Sequence, residues 1–311
     1  MAAMTLAETL RRLTLALEDV AVDEARIEAE VLLRRHTGLT RAQILTRGND
    51  PVEPGVEAAV QGSLQRRLRG EPLAYITGHR EFFGLDFAVD HRVLIPRPET
   101  ELLVETALAW VGAALVAAQA GDVTPGRDPV NPADQGNRRP VTFADIGTGS
   151  GAIAVSLTVH HPGLCGYAVD VSAEALAVAR HNARSHGVDG RIVFLQGDLA
   201  APLPEPVDVL LANLPYLRQD QLPVWCGAAQ VELAWEPLAA LDGGPDGLDA
   251  VRRLLADAPR RLRPGGLMLF EIGSEQGAAA LRLAAAAFPQ AVVTLRRDLA
   301  GLPRMLSVAA P

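Results

Sequence analysis

The sequence predicts an α/β fold in which helices cover both faces of a parallel sheet, with a small helical bundle preceding it. Two observations carry this prediction. From Val141 onward, short apolar runs alternate with stretches of helical periodicity, and this alternation is typical of parallel strands joined by crossover helices. Over residues 5–70, apolar side chains instead recur every three or four positions, which indicates amphipathic helices.

The helical segment is the first predicted domain, residues 1–78. Apolar residues recur at helical spacing from Leu6 to Leu17, and the pattern breaks at Gly38 and near Gly48–Pro51, where helices are expected to end. Such a bundle suits docking of a protein substrate, and it suits structural support equally well. From Phe82 to Leu94 the residue types become β-like, so we predict a hairpin within a linker at 79–98.

The second predicted domain, residues 99–311, begins with a helix at about 99–119. Residues 121–140 are rich in Gly, Pro, Asp and Asn, which predicts a flexible insertion. Pro303–Val308 is predicted to add an edge strand at the end of the chain. The strands predicted before it lie at 141–146, 166–170, 191–195, 207–212, 266–272 and 291–295.

Composition narrows the function classes. The chain has 311 residues, of which 49% are hydrophobic and 21% charged, as in soluble globular proteins. The longest apolar run, Ala107–Ala118, is too short to span a membrane, so we expect a cytoplasmic protein with no membrane contact. Cys165 and Cys226 are not in a metal-ligand spacing, so we expect them to be reduced and predict no metal site.

Charge excludes further mechanisms. The formal net charge is -8, which argues against affinity based on phosphate neutralisation, and we expect no direct nucleic-acid binding. All 29 basic residues are arginine. The absence of lysine excludes a P-loop lysine and a Schiff-base lysine from the possible mechanisms.

A glycine-rich turn indicates a nucleoside cofactor. Residues Phe143–Ala154 read as a strand, a turn containing Gly147, Gly149 and Gly151, and the start of a helix, and glycines let a ligand approach the backbone. Asp170 ends the next strand, nineteen residues after Gly151, where a carboxylate can bind ribose hydroxyls. A purely structural turn is the competing interpretation.

The details of this turn favour S-adenosylmethionine over a dinucleotide. Dinucleotide sites prefer Gly-x-Gly-x-x-Gly, whereas Thr148 and Ser150 separate the glycines here in a Gly-x-Gly-x-Gly spacing. Asp145 precedes the turn, and a carboxylate suits the cationic S-adenosylmethionine better than a pyrophosphate. Asp198, after the third strand, can bind the adenine amino group or cap a short turn.

The segment Asn213–Tyr216 is the candidate catalytic site. It follows the apolar run Val207–Ala212, at a strand end where ligands bind in open α/β sheets. The Asn213 side-chain oxygen and a neighbouring backbone carbonyl can accept both hydrogens of an NH2 group, while a tyrosine ring packs on it. The alternative is an ordinary turn after a strand.

Taken in this order, the motifs resemble those of class I S-adenosylmethionine-dependent methyltransferases, which have a Rossmann-like sheet. More narrowly, the chain is similar to the HemK/PrmC family, which methylates the glutamine of the Gly-Gly-Gln motif in peptide chain release factors. The resemblance includes segments outside the cofactor fold: Gly70–Gly78, Arg80–Phe82, Leu94–Glu101, Glu236–Leu241 and Asp298–Arg304.

The resemblance implies roles for individual residues. Asn213, Pro215 and Tyr216 would be catalytic, and Asn213 with the Leu214 carbonyl would hold the glutamine amide. Arg97 and Glu99 would lie in a loop over the substrate site, although Glu99 equally suits the first turn of the following helix.

The sequence departs from the family at three points. Leu214 replaces the first proline of the family's Asn-Pro-Pro-Tyr motif, and Leu199 replaces a tryptophan that is frequent after the Asp198 position, so Leu199 would pack on adenine. The 121–140 insertion is longer than usual. We expect activity to be retained, because a backbone carbonyl is present whatever the side chain at 214.

Three other functions stay open from the sequence. One is a ribosomal-protein glutamine methyltransferase, and another is an amino-methyltransferase of nucleic acid, since the same tetrapeptide holds exocyclic amino groups. The third is a regulator that binds S-adenosylmethionine without catalysis. We expect a release factor as the partner and a monomeric enzyme.

Overall fold

The computed structural model describes residues 4–119, 140–222 and 232–311. The predicted insertion at 121–140 lies outside the described residues apart from Pro140, and so does Cys226. The described residues divide into two units, one of 4–79 with 232–235 and the other of 80–222 with 236–311. None of the described helices combines the length and apolar content that a membrane span requires.

The first unit is a helical bundle whose helix ends match sequence signals. The first helix begins with a capping box, in which Thr5 Oγ1 accepts a hydrogen bond from the Glu8 amide while Glu8 accepts one from the Thr5 amide. The second ends at Gly38, whose φ is +68°. Buried leucines such as Leu13, Leu17 and Leu33 form its core. Its helices are α1 Leu6–Glu18, α2 Ala25–Thr37, α3 Arg41–Thr46, α4 Pro54–Leu68 and α5 Leu73–Thr77.

A short hairpin, β1 His79–Phe82 and β2 Leu85–Ala88, follows the bundle. The predicted hairpin of residues 82–94 is therefore wrong in extent. Phe83 and Gly84 have φ of +52° and +74°, and two consecutive positive φ values make the tight turn that joins hairpin strands. Val93 and Ile95 are apolar because they are buried, not because they form a strand.

The second unit contains a seven-stranded sheet with the order β5-β4-β3-β6-β7-β9-β8, and the predicted α/β fold is confirmed. Helices flank the sheet in two packed groups, α6 to α8 and α9 with α10. The helices are α6 Glu101–Gln119, α7 Ala152–His160, α8 Ala173–Ser185, α9 Asp249–Arg261 and α10 Gly277–Ala287. The strands are β3 Val141–Ile146, β4 Leu164–Asp170, β5 Ile192–Gln196, β6 Val207–Ala212, β7 Leu262–Glu271, β8 Val292–Arg297 and β9 Pro303–Ala309. Short 3-10 helices lie at Pro98–Thr100, Asp189–Arg191, Gln219–Gln221, Leu233–Trp235 and Leu238–Ala240.

The last strand corrects one prediction. β9 pairs antiparallel with both β7 and β8, so it is an interior strand and β8 forms the edge. Met305, Leu306 and Val308 are fully buried, whereas Val292 of β8 is 66% exposed. The continuous buried run from Met305 to Val308 is typical of a strand covered on both faces.

The sheet order positions the site. β3 is the first strand of the sheet along the chain, and its neighbours are β4 on one side and β6 on the other. All three run parallel, so their carboxyl ends meet at one edge. The strand order reverses between β3 and β6, and this reversal opens the crevice in which α/β proteins bind ligands.

Candidate functional site

A cavity of about 610 Å³ lies at the carboxyl ends of β3 to β6 within the second unit. Each strand end contributes to its wall. The lining residues include Gly147 and Gly149 after β3, Asp170 at the end of β4, Asp198 and Leu199 after β5, and Asn213, Leu214 and Pro215 after β6. Eight of the residues predicted from the sequence to bind cofactor or substrate are therefore together in one cavity.

The glycine turn is held by hydrogen bonds from its backbone amides to the end of β4. Gly147, Gly149 and Gly151 have φ of +73°, +55° and +82°, a region that side chains disfavour. The Gly147 and Thr148 amides both donate to the Val169 carbonyl at 2.9 Å. A Cβ at Gly151 would lie 3.1 Å from the Ala179 Cβ, so Gly151 allows α7 and α8 to pack closely. Gly151, like the buried Thr148 and Ser150, does not line the cavity.

Asp170 joins the turn to the cavity. One carboxylate oxygen accepts the Gly149 amide at 2.9 Å and the other accepts the Ser172 amide at 2.9 Å. A carboxylate has about four acceptor positions, so two positions remain for a ligand. Asp170 therefore fixes the loop and presents acceptors to the cavity at the same time.

Asp145 has a different place from the one expected. Its side chain is fully buried and does not line the cavity. One oxygen accepts from Thr148 Oγ1 at 2.6 Å and from the Ala154 amide at 3.2 Å, and the other has no hydrogen-bond partner among the described residues. Burial raises the pKa of Asp145 to about 7, because desolvation penalises the charged form. In this structure Asp145 organises the turn.

Asp198 and Leu199 form the wall after β5. The Asp198 side chain is 58% exposed and forms an ion pair with Arg253, and Arg253 also lines the cavity. The Asp198 carboxylate therefore binds Arg253 and does not cap a turn among the described residues. Leu199 has a φ of +48°, which is uncommon for a branched residue. Together with Val171, which is 64% exposed, Leu199 gives this wall an apolar surface.

Asn213 lines the cavity, and one of its two side-chain polar atoms is used in an internal hydrogen bond. Its Nδ2 donates to Thr100 Oγ1 at 3.0 Å. Its Oδ1 accepts no hydrogen bond from the described residues and is not among their fully buried unpaired atoms. The Leu214 carbonyl also accepts no backbone hydrogen bond from the described residues. Two acceptors are thus available at adjacent positions.

The Leu214 side chain packs inward, where the related motif has a proline. It is 5% exposed and belongs to the core of the sheet. A Cβ at Gly147 would lie 3.2 Å from Leu214 Cδ2, so the leucine packs directly against the glycine turn. The two motifs predicted separately from the sequence are therefore in contact.

Tyr216 lies outside the larger cavity. It lines a second cavity of about 310 Å³ together with Arg218, Gln276 and Arg304, while Pro215 lines the larger one. Burial raises the pKa of Tyr216, and the nearby Glu271 carboxylate raises this pKa further. The Tyr216 hydroxyl therefore stays protonated and acts as a donor to the interior.

Arg97 and Glu99 are not in the cavity wall. Arg97 forms an ion pair with Glu236, which is 1% exposed, and the other Glu236 oxygen accepts the Ile95 amide at 3.0 Å. Glu99 is exposed in the short helix Pro98–Thr100 that precedes α6. This position matches the alternative interpretation of Glu99 as an acidic residue at a helix start.

Two residues beside Asn213 were missed by the sequence analysis. Thr100 Oγ1, which accepts from Asn213, donates to Glu271 Oε2 at 2.7 Å. Burial raises the pKa of Glu271 to about 7, although Thr100, Arg304 and Tyr216 act in the opposite direction. One signal existed: Glu271 is an acidic residue near the end of the apolar predicted strand 266–272, and a buried carboxylate requires a partner.

The cavity fits S-adenosylmethionine. Its volume is in the range of small-molecule sites, Asp170 offers acceptors for ribose hydroxyls, and Val171 and Leu199 offer an apolar surface for a flat ring. The backbone at Gly147 and Gly149 has no side chain to obstruct a ligand. Residues that line this cavity can hold the cofactor, and Asn213 and Leu214, which carry the two unused acceptors, also line it.

Solved structures support the fold. The chain is similar to the catalytic domain of hMettl16 in complex with MAT2A 3'UTR hairpin 1, with a TM-score of 0.52, 15% identity, and coverage of 94% of this chain and 95% of that one. A second hMettl16 complex, with hairpin 6, gives a TM-score of 0.50 at 16% identity over 83% of this chain and 85% of that one. At these identities the likeness concerns the fold alone.

Sequence comparisons identify the family. Residues 8–78 match the PrmC N-terminal domain, and residues 135–240 match the methyltransferase small domain. The chain is 42% identical to a release factor glutamine methyltransferase of Moorella thermoacetica, covering 91% of this chain and 90% of that protein. It is 41% identical to one of Bordetella pertussis, covering 93% and 97%. The chain therefore belongs to the release factor glutamine methyltransferase family.

Proposed function

We propose that this enzyme methylates the side-chain amide of the Gly-Gly-Gln glutamine in peptide chain release factors, and that Asn213 and Leu214 hold that amide. The observation that supports these roles is the pair of unused acceptors, Asn213 Oδ1 and the Leu214 carbonyl, on two residues that line the cofactor-sized cavity. A primary amide has two N–H donors on one nitrogen, so the two acceptors match one glutamine side chain.

Alignment and polarisation are the catalytic devices. An amide nitrogen is a poor nucleophile because its lone pair is delocalised. Hydrogen bonds from its two N–H groups to Asn213 Oδ1 and the Leu214 carbonyl increase the electron density on nitrogen and fix the direction of approach. S-adenosylmethionine, when bound, supplies a methyl group made electrophilic by the positive charge on its sulfur. Both acceptors are weak bases, so the proton lost by the methylated nitrogen passes to water.

The residues around the cavity have separate tasks in this proposal. Asp170 and the backbone of Gly147 and Gly149 bind the nucleoside, with Leu199 beside the adenine ring and Asp198 near its amino group. Pro215 fixes the backbone after the acceptors because its φ is restricted. Tyr216, which lines the second cavity, stabilises the Asn213–Tyr216 segment on the side away from the cofactor. Asp145, Thr148, Ser150 and Gly151 shape the turn, and Arg97 with Glu236 shapes the loop before α6.

The direct test is to locate the transferred methyl group. The purified protein is incubated with labelled S-adenosylmethionine and, separately, with release factor, ribosomal protein and duplex DNA, and each product is analysed by mass spectrometry. We expect the methyl group on the Gly-Gly-Gln glutamine, and a release factor with that glutamine replaced by glutamate serves as control. Transfer only to ribosomal protein or DNA contradicts the substrate assignment, and cofactor binding without any transfer contradicts the enzymatic one.

The helical unit is proposed to dock the release factor. It has exposed apolar side chains, including Ile27 at 51% and Leu45 at 57%. Ile27→Asp and Leu45→Asp should raise the KM for the whole release factor while the KM for a short Gly-Gly-Gln peptide stays unchanged. An equal effect on both substrates contradicts a docking role and indicates structural support.

We further propose a monomeric, cytoplasmic enzyme. Sedimentation at micromolar concentration tests the oligomeric state, and cell fractionation tests the localisation.

A further inference from the structure

The Asn213 carboxamide is the first member of a hydrogen-bonded chain that leads into the core. Asn213 Nδ2 donates to Thr100 Oγ1 at 3.0 Å, and Thr100 Oγ1 donates to Glu271 Oε2 at 2.7 Å. Thr100 is 4% exposed and Glu271 is 2% exposed. Asn213 follows β6, Thr100 precedes α6, and Glu271 is the last residue of β7. Three separate elements must therefore pack correctly for these hydrogen bonds to form.

Donor and acceptor roles along this chain are determined from its buried end. An ionised carboxylate can only accept, and a threonine hydroxyl has a single hydrogen. That hydrogen points to Glu271, so Thr100 Oγ1 has only lone pairs to offer Asn213. The Asn213 NH2 group must therefore face Thr100, and Oδ1 must face away from it. A rotated carboxamide would place its oxygen against the Thr100 oxygen, which leaves two acceptors without a hydrogen between them.

We propose that Thr100 and Glu271 are positioning residues that fix the Asn213 carboxamide with its oxygen toward the substrate amide. This inference rests on the proposed function, because it assigns a purpose to the oxygen that the glutamine uses. With the carboxamide rotated, its NH2 group would meet the NH2 group of the glutamine, and two donors form no hydrogen bond. Neither residue touches the substrate; both act through Asn213.

The groups around Glu271 support its role as an acceptor. Burial raises the pKa of Glu271 to about 7, whereas Arg304, whose side chain is 16% exposed, and the Tyr216 hydroxyl favour the ionised carboxylate, which predominates above that pH. The charge of Glu99 acts in the opposite direction. A protonated Glu271 could donate to Thr100, which would free the hydroxyl hydrogen to point at Asn213. The chain therefore needs the carboxylate and not merely a polar group of the same shape.

A pair of substitutions at Thr100 tests the proposal. Thr100→Val keeps the shape and removes the hydroxyl, while Thr100→Ser keeps the hydroxyl. We expect Thr100→Val to lower kcat for release factor methylation by about tenfold to a hundredfold, with the dissociation constant of S-adenosylmethionine changed less than about threefold. Thr100→Ser should retain most of the wild-type kcat. Wild-type kcat in Thr100→Val, or equal losses in both variants, overturns the proposal.

Thr158→Val is the matched control. Thr158 is fully buried, and its Oγ1 donates to the Ala154 carbonyl at 2.7 Å, so the substitution also removes one buried hydroxyl. Its kcat should stay near that of the wild type when thermal unfolding shows comparable stability. A loss in kcat equal to that of Thr100→Val would attribute both effects to general destabilisation and contradict a positioning role.

Glu271→Gln tests the direction of the chain without removing the Thr100 hydroxyl. The Gln carboxamide can accept from Thr100 through its oxygen or donate to it through its nitrogen, so the orientation of the Thr100 hydroxyl is no longer fixed and kcat should fall while binding of S-adenosylmethionine persists; an unchanged kcat contradicts the need for a carboxylate. An activity-independent readout is the NMR signal of the Asn213 side-chain NH2: one downfield, hydrogen-bonded proton in the wild type, lost in Thr100→Val. If the wild type methylates no release factor, the proposed function fails, yet this signal still decides the orientation; its absence in the wild type overturns the positioning proposal.

Discussion

The two ends of the cavity are built in different ways. At the end of β3 and β4, the atoms that face the ligand are fixed through backbone amides of the turns after these two adjacent strands: Asp170 accepts the Ser172 amide, two residues away, and the Gly149 amide, 21 residues away. At the end of β6 and β7, Asn213 is fixed by Thr100, which is 113 residues away, and Thr100 by Glu271, which is 171 residues from it. At the cofactor end, backbone amides no more than 21 residues away fix the ligand-facing carboxylate. At the substrate end, the fixing contacts are between side chains more than 100 residues apart.

Two buried carboxylates make the contrast concrete. Burial raises the pKa of Asp145 and the pKa of Glu271 to about 7. Asp145 binds Thr148 and the Ala154 amide, three and nine residues along the chain, and so stabilises one turn. Glu271 determines the orientation of a side chain in another element. Burial thus perturbs both carboxylates in the same way, but Asp145 stabilises the glycine turn at the cofactor end, whereas Glu271 orients the Asn213 side chain at the substrate end.

The sharpest test of the contrast is Asn213→Ala. We expect kcat to fall by about a hundredfold to a thousandfold, as for removal of one preorganised polar group at a reacting centre. Binding of S-adenosylmethionine, measured by calorimetry, should stay close to that of the wild type, because Asp170 and the glycine turn are unchanged. An equal loss of cofactor affinity would show that the two ends are not separable.

The pH dependence of stability separates the two carboxylates. Glu271 has a raised pKa when folded, so the native state keeps a proton that the unfolded chain loses as the pH rises from about 4.5 to about 7. This contribution to the free energy of unfolding is fully present below about pH 4.5 and is lost as the pH rises through about 7. Glu271→Gln should remove it, a difference on the order of 3 kcal/mol across this window.

Denaturant titrations at several pH values measure this effect. The exposed Glu275→Gln, at a side chain that is 66% exposed, is the control and should keep the wild-type slope. The slope that persists in Glu271→Gln should include the contribution of Asp145. An unchanged slope in Glu271→Gln would contradict the account of Glu271 as a buried, desolvated carboxylate.

Asp170→Ala tests the other end of the cavity. The substitution removes the carboxylate oxygens that accept the Gly149 and Ser172 amides together with the ligand-facing acceptor positions, so we expect the dissociation constant of S-adenosylmethionine to rise by about tenfold to a hundredfold. At saturating cofactor, kcat should fall much less than in Asn213→Ala. The exposed Asp189→Ala is the control. A kcat effect as large as that of Asn213→Ala, with unchanged affinity, would reverse the assignment of the two ends.

The smallest expected effect is that of Leu214→Pro, which restores the motif of the family. The acceptor at this position is a backbone carbonyl, so we expect kcat to change by less than about threefold, under about 1 kcal/mol. Steady-state kinetics on the release factor measure it. A large gain would mean that the stiffness of the proline contributes to catalysis, and a large loss would mean that packing of Leu214 on Gly147 is required.

The contrast also explains what could be predicted from sequence. The strands, the glycine turn, Asp170 and the position of Asn213 after β6 depend on apolar periodicity and local spacing, and the predictions for them agree with the structure. The segment Leu94–Glu101, which the family resemblance includes, contains Thr100. Within this segment the sequence predicts a role for the charged residues Arg97 and Glu99 and none for Thr100. A buried hydroxyl between two strand ends has no local signature.

The incorrect predictions share a cause. The predicted hairpin extends too far, to Leu94, because burial produces apolar residues with or without a strand. The predicted edge position of β9 is wrong because one sequence does not show the order in which strands pair. Asp145 is predicted from its place before the turn to suit a cationic cofactor, whereas in the structure Thr148 and Ala154 bind one of its oxygens and its side chain does not line the cavity. In each case the residue type was informative, and its partner was fixed only by tertiary packing.

The most direct measurement is a crystal structure with S-adenosylhomocysteine and a Gly-Gly-Gln peptide bound. The account predicts that the glutamine NH2 group donates to Asn213 Oδ1 and to the Leu214 carbonyl, while Asn213 Nδ2 stays on Thr100 Oγ1 and Asp170 contacts the ribose. A glutamine bound away from residues 213 and 214, or an Asn213 carboxamide rotated so that Nδ2 faces the peptide, would contradict it.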